Sequence, residues 1–167
     1  NKVHKYLADK NLITQNIDGL DCKAGNKEYI SIHGNLHKVT LYHKQDYDVK
    51  INLAPWKDIE SECSNINDTT KLQNTLLDYF KISKKTLVPE KMVSLKPFVL
   101  LFDEFYTNNY GIIKAEKWMN KASKFIFLGT SFSVNITAMA LEKAINNNAQ
   151  IEIVDPMPIN LNLKNVK

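Results

Sequence analysis

The chain has 167 residues, 44% of them hydrophobic and 24% charged, with a net charge of +4. That length and composition exclude a wholly disordered polymer and give one domain's worth of core. All 22 basic residues are lysine and they lie scattered, which excludes a guanidinium clamp on phosphate and predicts no nucleic-acid partner.

Residues 3–9 read as the end of a helix. Leu12-Ile13-Thr14 is a short buried strand, followed by a polar loop over residues 15–27 with Gly19 and Gly25. Residues 29–33 alternate as a second strand, broken at Gly34. Residues 36–42 and 47–53 alternate loosely, as antiparallel strands of a small layer, and residues 61–70 are a polar loop. Residues 71–80 place Leu72, Thr75, Leu76, Tyr79 and Phe80 on one helical face, with Thr69 or Thr70 as the cap. Residues 98–102 read as a buried strand and 112–121 as an amphipathic helix. Residues 124–128 form a strand running into Gly129-Thr130-Ser131. An alanine-rich helix over 136–146 stops at Asn146-Asn147-Asn148, and a last strand over 151–154 is closed by Asp155-Pro156. Strand, helix, strand, helix, strand at this spacing predicts an α/β fold with a parallel sheet. Residues 35–95 break the alternation and read as an insertion.

No apolar run approaches the ~20 residues that cross a bilayer, so no membrane partner is expected. The opening Asn1-Lys2-Val3-His4-Lys5 has no apolar stretch behind it and reads as no secretory leader. Cys22 and Cys63 could make one disulfide at most; a thiol pair in the cytoplasm is the simpler reading. With no Cys-x-x-Cys, a cysteine-based zinc site cannot be built from this chain.

Three loops carry candidate chemistry. Thr14-Gln15-Asn16-Ile17-Asp18-Gly19-Leu20 follows a strand, where open α/β sheets bind ligands; it equally suits an ordinary turn held by Asn and Asp. Ile32-His33-Gly34-Asn35 places a histidine at a strand exit, as a general base or as a structural residue. Leu128-Gly129-Thr130-Ser131 precedes a helix and could hold phosphate or ribose, although it lacks the usual glycine fingerprints.

Taken together, Thr14-Gln15-Asn16-Ile17-Asp18-Gly19-Leu20, Ala24-Gly25 and Ile32-His33-Gly34-Asn35-Leu36 closely resemble the sirtuin family of NAD-dependent protein deacylases. Lys96-Pro97-Phe98-Val99-Leu100-Leu101-Phe102-Asp103-Glu104 is similar to the family's Arg-Pro-x-x-Val-x-Phe-Gly-Glu. Gly129-Thr130-Ser131 with Val134 resembles Gly-Thr-Ser-x-x-Val, and Ile153-Val154-Asp155 stands where the family has Ile-x-Asn. The resemblance implies a Rossmann-like sheet, NAD as cofactor, and removal of an acyl group from lysine onto ADP-ribose with release of nicotinamide. It implies His33 as base on a ribose hydroxyl, with Asn16 and Asp18 lining the ribose and nicotinamide pocket and Gln15 beside them. Gly129, Thr130 and Ser131 match the dinucleotide loop, and Asp155 would stand near the adenosine ribose. Val99, Leu100, Leu101, Phe102, Asp103 and Glu104 match the edge on which an acyl-lysine protein or peptide lies.

Departures from the family pattern shape the remaining expectations. The family's Gly-Ala-Gly-x-Ser turn and Pro-Asp-Phe-Arg loop should precede Val3, so the sheet is expected to be partial, its first βα unit supplied by upstream sequence or a second chain. The chain alone is then expected to be inactive. The four zinc cysteines are absent and no metal is expected. Asp21 replaces the usual His, and Asp103 the usual Gly. The expected domains are 1–34 with 96–167, binding NAD, and 35–95 as the insertion. Two other functions fit the same residues: NAD glycohydrolysis or mono-ADP-ribosylation, and a non-catalytic NAD- or ADP-ribose-binding or interaction module.

Overall fold

In the computed structural model, which describes residues 2–45 and 49–161, α1 (Lys2–Tyr6) leads into β1 (Ile13–Thr14), and β1 pairs in parallel with β2 (Ile30–Ser31). The connection carries a four-residue helix, α2 (Leu20–Lys23), where the sequence reads as loop throughout. Its start is fixed locally: Asp18 Oδ1 accepts from the Leu20 amide at 2.9 Å, and Gly19 takes φ +70°. Buried Asn26 ties this connection down, its Nδ2 donating to the carbonyls of Leu7 at 2.7 Å and Lys10 at 3.2 Å. Burying that amide is tolerated because its bonds are made.

Directly after His33 the chain leaves the parallel pair and becomes β3 (Gly34–Leu41), the middle of an antiparallel sheet between β4 (Asn52–Leu53) and β5 (Leu95–Val99). Gly34 therefore starts a strand rather than merely ending one. The second antiparallel strand is shorter than the alternation over 47–53 suggests; Tyr47 and Asp48 lie outside the described residues. The strand expected over 98–102 ends at Val99, because the Leu101 amide bonds the Glu104 carboxylate at 2.9 Å instead of a neighbouring strand.

Two helices pack on this sheet, α3 (Trp56–Glu62) and α4 (Thr69–Tyr79). Asp68 caps α4, its Oδ1 accepting from the Lys71 amide at 3.0 Å, so neither Thr69 nor Thr70 is the cap. Val39, Ile59 and Phe80 form the buried centre, with Trp56, Leu72, Leu76 and Leu95 packed around it.

The chain divides into two units, residues 1–112 and 113–167, each described by itself. In the second, following α5 (Ile112–Lys121), β6 (Lys124–Leu128) pairs in parallel with β7 (Gln150–Val154), joined by α6 (Asn135–Asn146). Phe127, Ala144, Ala149 and Ile151 make its core. Asn147 Nδ2 donates to the Met119 and Ala122 carbonyls at 2.9 and 3.1 Å, satisfying the end of α5. The fold is α/β, with a parallel strand pair in each unit.

Candidate functional site

The exits of β1 and β2 and the end of β5 come together. Gln15, Asn16, Ile17, Asp18, His33, Val99 and Leu100 line one open cleft of ≈ 390 Å³. Backbone pairing brings them there: the Ile32 amide bonds the Thr14 carbonyl at 3.0 Å, and the Leu100 amide bonds the His33 carbonyl at 2.9 Å. The Leu36 amide bonds the Ile17 carbonyl at 2.9 Å, closing the Asn16–Asp18 turn over the start of β3. Thr14 Oγ1 accepts from the Asn16 amide at 3.1 Å and sets the direction of that turn. Asn16 and Asp18 are exposed, and Gln15 and His33 half-buried.

Partial burial pushes the His33 pKa below 6.5, and a hydrogen bond to the Gln15 backbone opposes part of that. The imidazole is therefore neutral at pH 7, the form a general base needs. Its Nε2 lies 2.8 Å from Tyr106 Oη, and the two ring centroids are 5.9 Å apart. Burial pushes the Tyr106 phenol up, so it stays protonated. Tyr106 carries no mark in the sequence: it stands 73 residues from His33 and outside every motif.

Of the segment expected to hold peptide, Val99 and Leu100 line the cleft, while Leu101, Phe102 and Asp103 are exposed. The Glu104 carboxylate turns inward, its side chain 2% exposed, and ion-pairs with Lys96, whose Nζ also donates to the Val99 carbonyl at 3.1 Å. Asp21, which replaces the family's usual His, is buried against His4, Nδ1 to Oδ1 2.7 Å.

Gly129, Thr130, Ser131 and Asp155 belong to the second unit. The Gly129 amide bonds the Val154 carbonyl at 3.0 Å, so the loop after β6 and Asp155 sit side by side at the carboxyl ends of two parallel strands. Thr130 Oγ1 accepts from the Phe132 amide at 3.4 Å, and Ser131 Oγ meets Ser133 Oγ at 2.7 Å. Asp155 Oδ1 accepts from the Met157 amide at 2.8 Å.

Among the described residues no group of three or more His, Cys, Asp or Glu is placed to hold a metal ion. Cys63 Sγ is buried and donates to Thr75 Oγ1 at 3.2 Å, so it is not presented as a ligand. Zinc does not fit the described residues.

The Sir2 family model matches residues 1–136. The chain is similar to the NAD-dependent deacetylase sir2E of Dictyostelium discoideum, 40% identical over 140 residues, covering 80% of this chain and 38% of the relative. It is 27% identical over 165 residues to an NAD-dependent protein deacylase of Bacteroides thetaiotaomicron, covering 95% and 59%. Its fold matches a solved Sir2 complex with p53 peptide and NAD+ at a TM-score of 0.69 and 20% identity, over 99% of this chain and 62% of the other. The chain thus spans between 38% and 59% of the length of these two relatives.

Proposed function

The chain belongs to the Sir2 family, and from that premise we propose that it works in NAD-dependent removal of acyl groups from protein lysine. The observation that carries this is the shared cleft of Gln15, Asn16, Asp18 and His33 beside the end of β5. Two relatives named as an NAD-dependent deacetylase and an NAD-dependent protein deacylase support it. NAD fits the cleft's polar lining of amide groups, one carboxylate and a neutral imidazole. When bound, it supplies a ribose carbon from which nicotinamide departs. Asn16 and Asp18 orient the ribose and nicotinamide end. His33 takes a proton at its unprotonated ring nitrogen from a ribose hydroxyl. Gly129, Thr130, Ser131 and Asp155 would serve the rest of the dinucleotide, and the backbone of Val99 and Leu100, with Leu101 to Asp103 beyond, an acyl-lysine peptide.

In the same reading residues 35–95 are an insertion with its own core, and 1–34 with 96–167 bind NAD. We also propose as a partner a second chain that adds a βα unit to the sheet, and we place the protein in the cytoplasm, in keeping with the free cysteines Cys22 and Cys63. Mass spectrometry of an acetyl-lysine peptide incubated with NAD and the protein tests the activity. Loss of the acetyl group with matching nicotinamide release is expected. Nicotinamide release that ignores the peptide would replace the reading with NAD glycohydrolysis. NAD binding without turnover would reduce it to a binding module.

A further inference from the structure

We propose that Tyr106 is a positioning residue of this site: its hydroxyl fixes which nitrogen of His33 is the base and occupies that nitrogen until a substrate hydroxyl takes its place. The proposal deepens the reading of His33 as the base and rests on it. A neutral imidazole has one N–H to give and one lone pair to offer. The hydrogen bond to the Gln15 backbone raises the His33 pKa, so there the ring donates, to a carbonyl. Nε2 is the nitrogen that faces Tyr106 Oη at 2.8 Å, so it is left as acceptor and the phenol donates. The network therefore assigns the Nδ1–H tautomer. The two ring planes are only 21° apart with centroids 5.9 Å from one another, so the phenol meets the imidazole near its own plane, where the Nε2 lone pair lies.

His33 lines the cleft and Tyr106 does not. The base lone pair is thus engaged by a group at the side of the site, and a ligand hydroxyl entering the cleft must compete with the phenol for it. Tyr106 does not itself need to touch the ligand. The titratable groups beside His33 are Tyr106 at Nε2 and Asp18, which lines the same cleft. A hydrogen bond donated to the neutral imidazole favours that form, so losing it should raise the His33 pKa.

Nitrogen-15 NMR of labelled histidine in the intact chain tests this, with His33→Ala assigning the resonance. In the unaltered chain Nδ1 should be protonated and Nε2 a hydrogen-bonded acceptor. Tyr106→Phe, which keeps the ring, should move the Nε2 resonance toward that of a free acceptor and shift the His33 titration upward. In the unaltered chain, the Tyr106 Cζ resonance should move with the His33 midpoint, because protonating Nε2 reverses the bond and turns the phenol from donor to acceptor. Nε2 carrying the proton, an unchanged Nε2 resonance and titration in the Phe variant, or a Tyr106 Cζ resonance blind to His33 would each overturn the proposal. None of these readings needs turnover. Protein assembled with the second chain proposed above that passes them but deacylates nothing refutes the deacylase reading alone.

Discussion

Gly34 lies against the backbone of Phe98 so closely that a β-carbon built on it would stand 2.0 Å from the Phe98 carbonyl oxygen. This contact occurs one residue after His33, where the chain passes from the parallel pair to the antiparallel sheet. It locks the histidine's backbone to the end of β5. Gly34 also takes φ +88°, a region that side chains disfavour.

Gly34→Ala should therefore cost ~2–5 kcal/mol, from overpacking against backbone plus the strained dihedral. Chemical denaturation checks it. An alanine variant within 0.5 kcal/mol of the unaltered chain would mean that the close approach relaxes freely.

The Lys96–Glu104 pair gives a second test. Both side chains are nearly excluded from water, at 8% and 2% exposure. Lys96→Met leaves a buried carboxylate without its cation and should cost about 3–5 kcal/mol, while adding Glu104→Gln should recover part of that loss. Lys96→Arg should cost less than Lys96→Met, since it keeps the charge. Equal loss in the Met and Arg variants would show that packing, not charge, holds this turn.

Tyr110 hydrogen-bonds the same carboxylate, and burial followed by the Glu104 charge raises its pKa above the ordinary 10.0. Above pH 10 the unfolded chain loses this proton while the folded chain keeps it. The unfolded state then binds fewer protons, so stability falls as pH rises, by up to about 1.4 kcal/mol per pH unit for one such group. Tyr110→Phe should flatten the alkaline slope of the melting temperature. Tyr79, pushed up to about 12 chiefly by its hydrogen bond with Glu62, leaves a residual slope of the same sign. An unchanged slope in Tyr110→Phe would mean that Tyr110 ionises as freely folded as unfolded.

Much of this was legible from the chain and some was not, for physical reasons. The later strands and helices matched closely because β6 and β7 are short apolar runs and α5 and α6 are long enough to show a period. The helix α3 was missed, because Ile59 is its only buried residue and two turns cannot establish a period. Residues 98–102 look like one strand by apolarity alone, but a side-chain carboxylate captures the Leu101 amide and leaves Phe102 in solvent. Gln15, Asn16, Asp18 and His33 could be named because they fall in motifs. Tyr106 beside His33 and Tyr110 beside Glu104 could not, since only the folded chain brings them near.

The insertion should hold no zinc and stand on its apolar centre. Elemental analysis showing about one zinc per chain would overturn this. Ile59→Ala, at a site 5% exposed, should cost about 2–5 kcal/mol. Leu53→Ala should cost almost nothing, because β4 presents Leu53 to solvent at 82% exposure. Trp56, Leu72, Leu76 and Phe80 pack together around this centre.

The order of chemical steps separates His33 from Asn16. In the proposed reaction nicotinamide leaves only from an oriented ribose end, a role the proposal gives to Asn16 and Asp18, which line the cleft. The proton held by a ribose hydroxyl needs a base only afterwards. In protein assembled with the proposed second chain, His33→Ala should lower deacylation by about 10²–10⁴-fold, the usual worth of a general base. Exchange of labelled nicotinamide into NAD, in the presence of acyl-lysine peptide, should survive in part. Asn16→Ala should lose exchange and deacylation together, because the first bond is then never broken. Deacylation by the unaltered protein should fall only at acid pH, with a limb below 6.5 set by the lowered His33 pKa, since the imidazole must be neutral to take the proton. Equal loss of both activities in His33→Ala would remove the histidine from the role of base and assign it to shaping the pocket.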